Sequence, residues 1–251
     1  MTPPGDTSFE RLTEPPARSP TLVEGLPGLG MVASIAVDQV TDQLGLDHHG
    51  NLHLEDLPPT ASFADGLVRD PIRVYAGADP DVITLQSDVP IPPESFDSLS
   101  SCVLDDLAAE FDRAIFVAGA PARSEDQRGE IVGVATTPAM RDDVADAGID
   151  VAESSGAVGG VTGALAKRCY DADVPAAVLV VHANPYVPDP GAARTLVEEA
   201  LEPLVEFDID TAELREQAEQ IQQQKQRIAK QLQQLQQGES GQGGSPRPMY
   251  Q

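Results

Sequence analysis

The chain has 251 residues, 41% of them apolar, and its 41 acids against 16 Lys and Arg give a formal charge of −25. That size allows one large core or two small ones, and the lack of a basic stripe excludes nucleic acid as a partner. No run of about 18 apolar residues occurs and the N-terminus has no basic-then-apolar leader, so neither a membrane span nor secretion is expected and the cytoplasm is the expected compartment.

The charge is unevenly placed. Asp210 to Gln251 holds five acids and five bases, so the whole excess falls on the preceding, globular part. With only three lysines (Lys167, Lys225, Lys230), the composition resembles that of a halophile's cytosolic protein. In molar salt the screening length falls to about 3 Å, so such a surface can still meet an acidic partner. Cys102 and Cys169 lie far apart within helical patterns, which fits buried small apolar residues better than a disulfide or a metal site.

In chain order, residues 1–20 are rich in Pro, Thr, Ser and charge, with Phe9 and Leu12 as isolated apolar points, and read as a mostly disordered lead-in. The domain is expected over residues 21–210. It opens with a strand over Thr21 to Glu24, a glycine-rich turn holding Gly25, Pro27, Gly28 and Gly30, and a helix marked by Val32, Ile35, Ala36, Val40 and Leu44. Further strands are predicted over Ile72 to Ala76, Val82 to Gln86, Ala114 to Ala118, Ile131 to Ala135 and Ala176 to His182. Amphipathic helices fall between and after them: Phe96 to Phe111, Met140 to Ala147, Leu165 to Ala172 and Leu196 to Leu204. Alternating strands and helices imply a three-layer α/β/α domain with a mostly parallel sheet.

From residue 211 to 237 the period changes. Leu214, Ala218, Ile221, Lys225, Ile228, Leu232 and Leu235 recur at alternating steps of 4 and 3, a heptad seam on a coiled-coil-like helix. An isolated helix of this length is marginal in water, so the seam needs either a partner helix in a homo-oligomer or its own domain to lie on. Residues 238–251 are Gly-, Ser- and Pro-rich and read as a tether, whose 11 residues to Pro248 span roughly 18 Å on average. It carries Met249, Tyr250 and Gln251: an apolar filler, an amphipathic ring and a terminal carboxylate that seeks a cation, the layout of a plug for a partner's pocket.

Five runs carry a family resemblance: LVEGLPGLGMVAS from Leu22, IRVYAG from Ile72, SDVPIPPE from Ser87, GGVTGALA from Gly159 and NPYVPDPGAA from Asn184. Together, over about Thr21 to Asp210, they resemble the proteasome assembly chaperone family in its archaeal form. The resemblance implies a nucleoside phosphorylase-like α/β/α fold and a non-enzymatic, cofactor-free, oligomeric partner of the 20S proteasome. The chain end resembles the hydrophobic-Tyr-X motif that docks between α-subunits, with Met249 in the hydrophobic position, Tyr250 in the tyrosine position and Gln251 last. An α-ring lysine is the implied counter-charge. The helix and tether resemble the layout of the regulatory ATPases, although no ATPase motif is present.

Other constellations are weaker. The loop spacing G-x-x-G-x-G could cradle a phosphate in a phosphorylase-like or ligase-like enzyme, but it is neither the dinucleotide fingerprint nor a P-loop, and a structural turn or a subunit contact is the favoured reading. His48, His49 and His53 sit in a polar stretch and His182 ends an apolar strand, so solvated or hydrogen-bonded histidines are expected rather than metal ligands. Ser154, Ser155 and Asp189 with a histidine could be imagined as a hydrolase site, but no G-x-S-x-G elbow supports it. Asp88 and Glu94 flank a loop shaped by Pro90, Pro92 and Pro93, which explains them without chemistry.

Overall fold

The computed structural model describes residues 7–14 and 20–240. Its main sheet has nine strands: β1 (Ser8–Arg11), β2 (Thr21–Gly25), β3 (Asp47–His53), β6 (Ile72–Ala78), β7 (Asp81–Ser87), β8 (Arg113–Pro121), β9 (Ile131–Ala135), β10 (Asp150–Val151) and β11 (Ala176–Ala183). They lie in the order β1-β3-β6-β7-β2-β8-β11-β9-β10, and β4 (Ser62–Ala64) pairs separately with β5 (Leu67–Arg69).

The central strands β7, β2, β8 and β11 run parallel, as expected, whereas the flanks pair antiparallel at β1/β3, β3/β6, β6/β7 and β9/β11. For β6/β7 the direction follows from loop length. Ala78 pairs with Asp81, so only Asp79 and Pro80 join β6 to β7, a link too short for the crossover that parallel strands require.

Alternation along the central strands builds two cores. Val23, Val82, Ile115, Val117, Ala177, Leu179 and Val181 face one side, beneath α1 (Val32–Leu44), α3 (Pro138–Asp146) and the helix α5 (Pro190–Leu196), which runs through a π-turn into α6 (Glu202–Val205). Leu22, Ile83, Leu85, Ala114, Phe116, Ala176 and Val178 face the other side, beneath α2 (Phe96–Cys102) with its π-turn and α4 (Gly160–Asp171). A period of two in strands covered on both faces is what produces this split. Thr137 caps α3 by accepting from the Met140 N–H at 3.2 Å, with Pro138 in the first helical position.

Two expected boundaries change. The lead-in contains a strand, because β1 pairs with β3 from Ser8↔His53 to Arg11↔Gly50. The last helix, α7, covers Ala212–Ser240 and therefore runs into the first residues of the expected tether. Met249, Tyr250 and Gln251 lie outside the described residues, as do the side chains of Leu232 and Leu235.

Candidate functional site

The carboxyl ends of the parallel strands bring the sequence motifs together. Gly25 packs against α1, where a Cβ would lie 2.6 Å from Val37 Cβ. Gly30 has φ +67°, and a Cβ there would lie 2.9 Å from Ala183 Cβ. These two glycines are demanded by packing and conformation; Gly28 is extended and faces open space, and Pro27 is half-buried between them.

Beneath this loop Glu24 is fully buried. Its Oε1 accepts from the Leu26 N–H at 3.0 Å, and its Oε2 accepts from the Val117 N–H at 3.0 Å and the Thr162 hydroxyl at 3.4 Å. Burial outweighs these bonds and raises its pKa to about 7. A buried carboxyl that already engages the loop's own N–H is the wrong partner for a phosphate, so the loop serves as a packed turn.

The NPYVPDPGAA run closes over the same turn. The Asp189 N–H donates to the Gly30 carbonyl at 2.9 Å. Asp189 is fully buried; it caps α5 by accepting from the Ala192 N–H at 3.2 Å and also accepts from the Asn184 N–H at 2.8 Å. Arg128 grips it bidentately, Nε to Oδ2 at 3.0 Å and Nη2 to Oδ1 at 2.5 Å. Burial pushes this carboxyl up, but the Arg128 and backbone bonds win and hold it below its ordinary value. Ser154 and Ser155 stay exposed, so the imagined hydrolase group is not assembled.

Asp88 is likewise structural. It takes both terminal nitrogens of the buried Arg73, at 2.6 and 2.9 Å, and one from Arg69 at 3.1 Å. That clamp roots the β4–β5 hairpin, where Phe63, Leu67 and Val68 are each about three-quarters exposed. Met31 and Tyr186 are also exposed, at 45% and 90%.

The heptad positions are graded along α7. Leu214 is buried, and Ala218 Cβ would lie 3.7 Å from a Cβ at Gly191 on α5. Ile221 and Lys225 are half-buried and Ile228 is half exposed, so the seam begins on its own domain and then clears it.

The histidine stretch corrects the expectation of exposure. His49 is 1% exposed, shares hydrogen bonds of 2.6 Å with Thr13 Oγ1 and with Glu110 Oε2, and leans on Phe9. Arg11 pairs with the same Glu110. His48 remains exposed, bonded to Asn51 at 2.8 Å and set against Tyr75. His53 meets Glu10 and Asp70. The partners of His49, and Glu10 for His53, are 36 to 61 positions away, and only the folded β1/β3 edge reveals them.

Fold and site define a mixed-sheet α/β/α protein with a packed loop end, apolar projections and a protruding C-terminal helix. The chain belongs to the PAC2 family, whose model matches residues 22–229. An uncharacterised protein of Methanocaldococcus jannaschii is 26% identical over 180 residues, 72% of this chain and 73% of that one. The fold is also that of Pyrococcus furiosus PbaA, an archaeal homolog of proteasome-assembly chaperone, with TM-score 0.77, 20% identity and coverage of 94% and 97%. Pyrococcus furiosus PbaB, an archaeal proteasome activator, shares it with TM-score 0.76, 18% identity and coverage of 89% and 99%.

Proposed function

We propose that this chain is a non-enzymatic proteasome assembly chaperone or activator of the cytoplasm that docks on the 20S α-ring through Met249, Tyr250 and Gln251. Family membership and the fold shared with an assembly-chaperone homolog and an activator support the class. The observation that carries the docking mechanism is α7: its first turns are seated on α5 and Ile228, further along its seam, is half exposed, which suits a helix that leaves the body and bundles with the same helix of other copies.

In this reading Leu214 and Ala218 orient the helix, while Ile221, Lys225, Ile228, Leu232 and Leu235 form the homo-oligomer seam. Lys225 on the seam selects register at some cost in stability. Bundled copies present several chain ends at once, and tethering supplies most of the affinity because each three-residue plug is weak. A lysine of the α-ring receives each terminal carboxylate.

The test is co-purification with 20S particles at high salt. Removing Met249 to Gln251, or Tyr250→Ala, abolishes the association. Undiminished binding by either variant rejects tail docking.

A further inference from the structure

Glu10 on β1 and His53 on β3 lie on one face of their ladder, because Glu10 pairs with Asn51 and Ser8 with His53. Asp70, in the turn before β6, reaches the same spot. One ligand atom from each of the three lies within 4.8 Å of the other two. Glu10 Oε2 is 3.1 Å from His53 Nε2, and Asp70 Oδ1 is 3.9 Å from His53 Nδ1. All three side chains are about half exposed and open to solvent.

We propose that Glu10, His53 and Asp70 form a site for a divalent transition-metal ion of the zinc class. One imidazole and two carboxylates suit such an ion, whereas calcium and magnesium favour all-oxygen shells. Ligand atoms about 2.0–2.2 Å from a tetrahedral ion lie roughly 3.5 Å from one another, so the present separations close by side-chain rotation. The ring offers the ion one nitrogen, and the carboxylate now on its other side swings round. Water fills the remaining position.

The ion would fasten the N-terminal edge strand to β3 and to the turn before β6. It would therefore bind only the docked state and raise its stability by mass action. Neither thiol competes, since burial raises both Cys102 and Cys169 to about 12.

The alternative occupant is a proton, with imidazolium bridging two carboxylates. The acidic surface also attracts cations indiscriminately, so the experiment is run in molar KCl, where screening acts within about 3 Å. Zinc chloride is titrated calorimetrically into the full chain, His53→Ala and Asp70→Asn, with thermal unfolding and hydrogen exchange at Ser8–Arg11 measured alongside. The site predicts one saturable equivalent, weakened at least about tenfold in both variants, with zinc slowing exchange in the parent only. Magnesium does not substitute. Equal zinc binding by all three chains, or no saturable binding by the parent, overturns the proposal.

Discussion

The two ends of the chain attach to the domain by opposite means. At the N-terminal end a short segment suffices: β1 completes a ladder with β3, Phe9 lies where a Cβ on Gly50 would come within 2.3 Å of its ring, and Arg11 and Thr13 join the buried His49 and Glu110 in a polar network. At the C-terminal end 29 residues form a helix that is seated near Leu214 and uncovered by Ile228. Length and regularity do not measure attachment. A short polar segment is fixed where distant side chains satisfy it, and a long helix is fixed only where its apolar face finds a surface.

The reference for both ends is the middle of the sheet. Glu24 titrates near 7 in the fold, against an ordinary 4.5. Its folded form therefore keeps a proton that the unfolded chain gives up between those values, so this residue lowers stability as pH rises across that window and adds no further change above it. The effect is roughly 3 kcal/mol. Urea midpoints of parent and Glu24→Gln should diverge in the variant's favour from pH 4.5 to 7 on top of any constant offset; a pH-independent difference contradicts this.

At the N-terminal end, Glu110→Ala removes the acceptor that Arg11 and His49 share. A loss of about 2–3 kcal/mol is expected, since His49 is left buried without that partner. Hydrogen exchange at Ser8–Arg11 should rise more than at β8, and uniform loosening would mean that the network does not hold the strand.

At the C-terminal end, Leu214→Ala should cost about 2 kcal/mol in the isolated chain, whereas Ile228→Ala should stay within about 0.5 kcal/mol. The order reverses for self-association followed by sedimentation, where Ile228→Ala weakens assembly. An unchanged association constant for Ile228→Ala removes that residue from the seam.

The sequence was most legible where burial is simple. The nearly continuous apolar run from Ala176 to His182 marks β11, covered on both faces, and the α1 pattern marks a helix against the sheet. Gly25 and Gly30 each sit where a Cβ would collide with a neighbouring side chain, a packing demand that the glycine spacing alone does not disclose. In contrast, β3 reads DHHGNLH, with Leu52 its lone apolar residue, and it is buried because Glu110, Thr13 and Phe9 arrive from elsewhere in the chain. No local period carries that information.

The β4–β5 hairpin did have a signal. Asp65 and Gly66 both have positive φ, 51° and 79°, the mirror-image turn favoured by an Asp-Gly pair. Its strands of three residues were too short to show alternation. At the candidate site, Asp189 was visible only as part of a motif, because Arg128, its counter-charge, lies 61 positions away.

The seating of α7 has a mechanical corollary. Twenty-nine residues at 1.5 Å each make a lever about 43 Å long. A tilt of roughly ten degrees at its pivot would swing the far end by about 7 Å, more than the rise of one helical turn. Aim at that distance depends on bracing the shaft along its length, and a single hinge cannot supply it.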